Sequence, residues 1–350
     1  MQSWASVTGM IAKHLGIHAL LFVVAFFRLE WLFPRAGGQG LIFTLHHVRP
    51  PIHRSFDPNG LLSITPDFLE QAIITAKQAG LEPVRLENLP ALLAGADKSK
   101  KYVCFTLDDG NKDNAEFAAP IFRKHNVPYT IFVCPGLSGR TRTMWWETVA
   151  AILRENDKIR FDFGAGPKTL TLTNWFSKQA AFFRFSTFAE VTDEDSAVQK
   201  IDALAQSLGI NAMAIVERDI MSEAELQALA KDPLVTFGGH TMTHSNLARV
   251  SPERLHFELS ESCKMISAYA GKPVTTFAYP YGHTHTVGQR EYAAAKSIGV
   301  ELAVTTQPGM LNSGSLNNMT ALKRISLNGW YQHPRFVKAL VSGVPFLFVK

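Results

Sequence analysis

The run Val103-Cys104-Phe105-Thr106-Leu107-Asp108-Asp109-Gly110 decides how this chain is read. Its apolar and β-branched residues predict a strand buried on both faces, and Asp-Asp-Gly is turn chemistry, so both acids belong at the carboxyl end of an interior strand. Adjacent carboxylates there do not both ionise cheaply unless a cation holds one of them. That divides the pair into a metal ligand and a proton acceptor. On this octapeptide alone, a plain turn or a helix cap explains the acids equally well.

The same pattern recurs outward. Leu41-Ile42-Phe43-Thr44-Leu45 is a second apolar strand that ends in His46-His47, and Tyr129 to Cys134 is a third. Leu234 to Phe237 delivers Gly238-Gly239-His240-Thr241-Met242-Thr243-His244, and Val274 to Ala278 runs into Tyr279-Pro280-Tyr281-Gly282. Glu301 to Thr305 and Lys323 to Leu327 complete the strands. Helices are expected between them: from Thr65 as cap with Pro66 in the first turn to Gly80, from Ser222 through Leu229, and from about Pro252 to Tyr269. The Ala-rich stretch ending near His125 is also helical, with Pro120 either kinking it or marking a later start. Strand, helix and strand in close succession make parallel βα units. About seven such strands with titratable residues at their carboxyl ends predict an α/β fold, a distorted TIM-like (β/α)7 barrel.

The 350-residue length and 46% hydrophobic composition suit one large domain with an insertion. Residues 37–350 are assigned to the barrel, with a helical insertion at about 154–233 where the strand rhythm is lost. The formal charge of +5 contains no long basic run, so nucleic acid is not an expected partner. Cys104, Cys134 and Cys263 form no C-x-x-C pattern and read as buried free thiols. Residues 1–36 form an amino-terminal apolar segment and linker. Leu15 to Phe27 is short against the about 20 residues that span a bilayer, and no small-x-small cleavage site follows it. A helix lying on a membrane through residues 15–33, or packed on the domain, is expected. The expected location is cytoplasmic or at a membrane surface, with export left open.

Histidines at i and i+4 on a helical turn would direct both imidazoles at one ion. Alone, His240 could equally be a cap and His244 an ordinary histidine. Together with Asp109 they offer two imidazoles and one carboxylate, a set that suits zinc, or another divalent metal, with a position open for water. Asp108 is left beside the ion as a base. The constellation describes metal-assisted hydrolysis.

These residues resemble the polysaccharide deacetylases of carbohydrate esterase family 4, the nodulation-type chitooligosaccharide deacetylase homology domain. Thr106-Leu107-Asp108-Asp109-Gly110 is similar to the family's Thr-Phe-Asp-Asp-Gly motif, and His240-Thr241-Met242-Thr243-His244 to its His-(Ser/Thr)-x-x-His motif. Phe277-Ala278-Tyr279-Pro280-Tyr281 resembles the third motif, usually Arg-x-Pro-Tyr, in the form found in the poly-N-acetylglucosamine branch. The resemblance spans Leu41 to about Leu327. It implies a zinc-dependent N-deacetylase acting on amino-sugar residues of a glycan, with metal-bound water as nucleophile. Asp109, His240 and His244 would bind the metal, and Asp108 would be the base. The backbone N–H of Tyr281 would stabilise the oxyanion, a contribution of about 3 kcal/mol.

Two departures stand out. The late Leu-x-x-His motif has no counterpart, and Ala278 stands where the family has the arginine that pairs with the catalytic aspartate. His46-His47-Val48 resembles the early-strand source of the acid in the poly-N-acetylglucosamine branch, which makes His46 the expected acid. His47, His283, His285 and His333 are alternatives. With no visible positive partner, Asp108 is expected to be a stronger base than in the standard family. Tyr279, Pro280, Trp145, Trp146 and His47 are the expected substrate contacts, with core packing as the competing role for the tryptophans and for Tyr279. Two other functions stay open: a deacylase of a lipid-linked sugar or small amide, and a glycan-binding protein without catalysis.

Overall fold

The computed structural model describes residues 2–95, 97 and 99–347. Seven parallel strands form the curled sheet: β1 (Gly40–Leu45), β2 (Lys101–Leu107), β3 (Tyr129–Val133), β4 (Val235–Gly239), β5 (Thr276–Ala278), β6 (Leu302–Val304) and β7 (Ile325–Ser326). They lie in the order β6-β5-β4-β3-β2-β1-β7, with Leu81–Pro83 added beside β2. A parallel bridge from Val304 to Leu322 spans the gap between the outer strands. The result is the distorted (β/α)7 barrel that the strand count predicted.

Alternation along the strands builds two cores, because successive side chains leave opposite faces of a sheet. Leu41, Phe43, Leu45, Val103 and Phe105 pack outward under the helices. Ile42, Cys104, Phe132 and Val304 fill the interior. Gly238 is needed for this closeness: a Cβ there would sit 2.4 Å from the Phe132 ring.

One local expectation is resolved and two change. Pro120 marks the later start: a single π-type turn at Asn114–Ala118 precedes the helix Ala119–His125, whose first turn tolerates the missing N–H. The insertion is not purely helical. Lys158–Asp162 and Pro167–Thr171 pair as an antiparallel hairpin, and its alternating pattern sends Ile159 and Phe161 into a cluster with Phe185 and Phe188. The amino-terminal helix runs Gln2–Phe26, because Lys13 and His14 do not interrupt its backbone. Its 21-residue segment Ser6–Phe26 contains an 18-residue window of mean hydropathy 1.7 and is long and apolar enough to cross a membrane, so the short apolar run understated it. It packs along one side through Leu21 and Val24, and His14 Nδ1 lies 2.6 Å from the Tyr331 hydroxyl.

Candidate metal centre and catalytic site

The carboxyl ends of β1, β2, β4 and β5 converge on one point. Asp109 leaves β2 with φ 73°, a left-handed turn that swings its carboxylate toward β4. Its Oδ1 lies 3.4 Å from His240 Nε2 and 3.4 Å from His244 Nε2. The ligand atoms of these residues all lie within 4.8 Å of one another.

The histidines reach this point differently from the expected helical turn. Residues 240–246 are an irregular loop after β4, with positive φ at Thr241 and His244. Glu258, fully buried on the helix Pro252–Ala270, shapes the loop: its Oε2 accepts from the amides of Met242 and Thr243, and its Oε1 from the Thr243 hydroxyl. A buried acid thus replaces the hydrogen bonds a helix would have supplied. His240 Nδ1 lies 2.7 Å from the carbonyl of Ala278. A carbonyl only accepts, so Nδ1 carries the proton and Nε2 presents its lone pair.

This donor set fits a divalent ion. Asp109 Oδ1 is buried and has no hydrogen-bond partner, an expensive state for a carboxylate oxygen unless a cation satisfies it. His244 is pushed by burial down to about 3 against the pull of Asp109, which keeps it in the neutral form that metals bind. Two imidazoles and one carboxylate, with the Ala278 carbonyl fixing the tautomer of His240, suit a divalent metal.

Asp108 is held by a residue outside the matched motifs. Arg324, at the start of β7, donates from Nη1 to Asp108 Oδ1 at 2.7 Å and from Nη2 to Oδ2 at 2.6 Å. It is anchored by Nε to the Thr305 carbonyl and by Nη1 to the Thr106 hydroxyl. The expected lack of a positive partner is therefore wrong: the chain supplies the arginine from the seventh strand, while Ala278 on β5 offers only its carbonyl. Burial alone would raise the Asp108 pKa, but Arg324, with His240 and His46 behind it, holds the carboxyl below its usual value. The expectation of a stronger base falls with it. An arginine inside the expected strand Lys323 to Leu327 was the available signal, since a buried guanidinium must have a partner.

His46 ends β1 with Nε2 4.0 Å from Asp108 Oδ2. Burial lowers its pKa more than Asp109 and Asp108 raise it. His47 turns the other way: its Nδ1 lies 2.6 Å from Asp113 Oδ2, whose Oδ1 accepts from the Val48 amide. It fixes the strand end rather than facing the site. Among the other histidines, His333 caps the helix Pro334–Val341 by accepting from the Arg335 amide. His283 and His285 meet edge to face beyond Tyr281, with ring centroids 5.9 Å apart.

The expected substrate contacts separate in the same way. Tyr279 is 1% exposed and donates its hydroxyl to the Thr320 carbonyl, and Pro280 is buried beside it, so both belong to the core. Trp145 is buried and donates Nε1 to the Tyr281 hydroxyl at 3.1 Å. Trp146 is half-buried and lies 4.6 Å from the His244 ring, so it walls the site. Tyr281 has φ 60°, and its carbonyl accepts from the Thr306 hydroxyl. Its own hydroxyl donates to Glu194 Oε1 at 2.7 Å. Glu194 belongs to the insertion, and nothing in the motifs pointed to it.

The fold is an α/β barrel that gathers titratable side chains, among them a carboxylate and two imidazoles that could hold a metal ion, at its strand ends. The polysaccharide deacetylase family model matches residues 95–161 and 167–303, more than half of the sequence, and the chain belongs to that family. No protein of curated function matches the sequence. Among solved structures, IcaB from Ammonifex degensii is similar at TM-score 0.53 and 15% identity, covering 86% of this chain and 97% of that one. The Streptococcus pyogenes deacetylase PplD in complex with acetate gives 0.52 and 18%, over 83% and 92%. The BpsB deacetylase domain from Bordetella bronchiseptica gives 0.50 and 15%, over 83% and 96%. At such identities the likeness is one of fold.

Proposed function

We propose that this protein is a metal-dependent hydrolase that removes N-acetyl groups from amino-sugar residues of a polysaccharide or oligosaccharide. The observation that carries the reading is the orphaned Asp109 Oδ1 between two imidazole nitrogens, beside an Asp108 that Arg324 keeps ionised. Asp109, His240 and His244 would hold a divalent ion, zinc by the donor set, which would supply Lewis acidity and a water of lowered pKa.

The chain's own groups do the rest. Asp108 takes the proton of the attacking water, whose oxygen bonds to the acyl carbon. The Tyr281 amide, aimed by its left-handed turn, donates to the oxyanion that develops. His46, facing the same space as Asp108, gives a proton to the sugar nitrogen as the C–N bond breaks, leaving free amine and acetate. Trp146 presents a ring face on which a pyranose packs. Acetate release from acetylated glucosamine oligomers, measured on metal-stripped protein and again with zinc restored, tests the reading. Zinc-restored release is expected. Bound metal without release would favour a glycan-binding protein instead.

A second substrate class is favoured by the amino-terminal helix. Its outer face exposes Leu15, Phe22, Val23 and Phe26, followed by Phe27 and Trp31, a composition that suits the interfacial zone of a bilayer. We propose peripheral residence there, which would bring a lipid-linked amino sugar within reach. Co-sedimentation with vesicles, and its loss when Phe22 and Phe26 become Ser, tests this.

A further inference from the structure

We propose that Glu194, contributed by the insertion, is a positioning residue that locks the Tyr281 turn and the His244 loop into one working arrangement; this rests on the hydrolase reading above. One carboxylate spans two strand-end loops. Its Oε1 accepts from the Tyr281 hydroxyl and its Oε2 from the Asn246 amide, each at 2.7 Å. Asn246 lies two residues beyond His244, and Tyr281 carries the oxyanion donor.

Both loops need such support. Tyr281 and His244 adopt φ 60° and 57°, conformations that a residue with a Cβ holds only when its surroundings impose them. The Tyr281 hydroxyl is held by Trp145 Nε1 at 3.1 Å and by Glu194, and the ring meets that of His244 in a T-shaped contact, 5.4 Å between centroids. Without the carboxylate, the phenol loses its acceptor and the tie between the Tyr281 turn and the Asn246 amide is gone, so the two loops are no longer held by one group.

The insertion is anchored so that Glu194 cannot drift. Asp193 caps the helix Glu194–Ser207, placing Glu194 in a first turn where negative charge is favoured. Asp195 beside it pairs with Arg142, from the loop after β3, at 2.6 Å. Desolvation pushes the Glu194 carboxyl up to about 7 even though Asn246 and Tyr281 pull it down. Docking the insertion through apolar contacts alone would avoid this destabilising burial, and the fold retains the acid where it touches the site loops.

The test compares Glu194→Ala, Glu194→Gln, Tyr281→Phe and the Glu194→Ala/Tyr281→Phe double variant. Readouts are kcat and KM, zinc content, and amide hydrogen exchange at Asn246. Glu194→Ala should lower kcat by about tenfold to a hundredfold, as a small misplacement of reacting groups does. KM and zinc content should stay near wild type, and exchange at Asn246 should rise. Glu194→Gln keeps one acceptor oxygen and should recover part of both kcat and protection. The double variant should lose little more than the worse single variant, because both changes act through one contact. Wild-type kcat with unchanged exchange in Glu194→Ala would overturn the proposal. So would fully additive losses that track a falling melting temperature, which mark simple loss of docking. If wild type releases no acetate, the hydrolase reading fails, while the exchange measurement still decides whether Glu194 holds the loops.

Discussion

Replacing Arg324 with Met tests the part of the site that the motifs did not contain. Both Nη atoms contact Asp108, the arginine side chain is 0% exposed, and that of Asp108 is 3% exposed. Met fills similar volume without charge, so the variant leaves a buried carboxylate uncompensated. Removing one partner of a buried pair costs about 3–5 kcal/mol, and charge-assisted hydrogen bonds are worth about 1.5–3 kcal/mol each. A loss of about 3–5 kcal/mol at neutral pH is therefore expected, read as a lower midpoint in urea unfolding with an unchanged slope. The pH dependence has a defined sign. In wild type the folded Asp108 pKa is depressed, so the pair stabilises above the unfolded carboxyl value and loses its effect as pH falls through the folded one. The gap between wild type and variant should narrow in acid. With Arg324 gone, burial raises Asp108, so the acid limb of kcat/KM should move to higher pH. Adding Asp108→Asn should restore part of the stability, because the uncompensated charge is then removed. Equal unfolding midpoints and superimposable acid limbs in wild type and Arg324→Met would refute this account.

The remaining substitutions separate binding from chemistry. His240→Ala or His244→Ala should lose zinc and activity together, whereas Asp108→Asn should keep zinc and lose turnover by about 10²–10⁴-fold. Metal analysis beside acetate release checks both. His46→Ala should lower kcat with zinc intact, and His47→Ala should instead lower stability. The His47–Asp113 pair raises the folded His47 pKa against the effect of burial. Its stabilisation is thus complete below the unfolded histidine value and fades as pH rises through the folded one, which unfolding of wild type and His47→Ala at several pH values would show. Trp146→Ala should raise KM for oligomers more than it lowers kcat, and an unchanged KM would remove Trp146 from the sugar wall.

What was legible in the sequence was legible for local reasons. Strands buried on both faces read as unbroken apolar runs, so Leu41 to Leu45 and Val103 to Leu107 declared themselves. Chemistry placed at their ends interrupts those runs with His46, Asp108 and Asp109. The spacing of His240 and His244 pointed to the pair that the fold brings against Asp109, although the helical geometry first attached to it is replaced by a loop that Glu258 shapes from another helix. Tyr279 looked like a site residue because it lies two positions before Tyr281, and an extended segment would put both on one face; the left-handed turn at Tyr281 breaks that alternation, and Tyr279 points into the core.

The sequence by itself determined the parallel barrel and the positions of Asp108, Asp109, His240 and His244, because each is written in a contiguous run or a fixed spacing. Only the tertiary structure decided who holds them. Arg324 reaches Asp108 across 216 positions, and Glu194 reaches Tyr281 across 87. Such pairs are set by which strand ends meet when the sheet curls and where the insertion docks. No periodicity in the chain encodes a contact between residues that become neighbours only through closure of the fold.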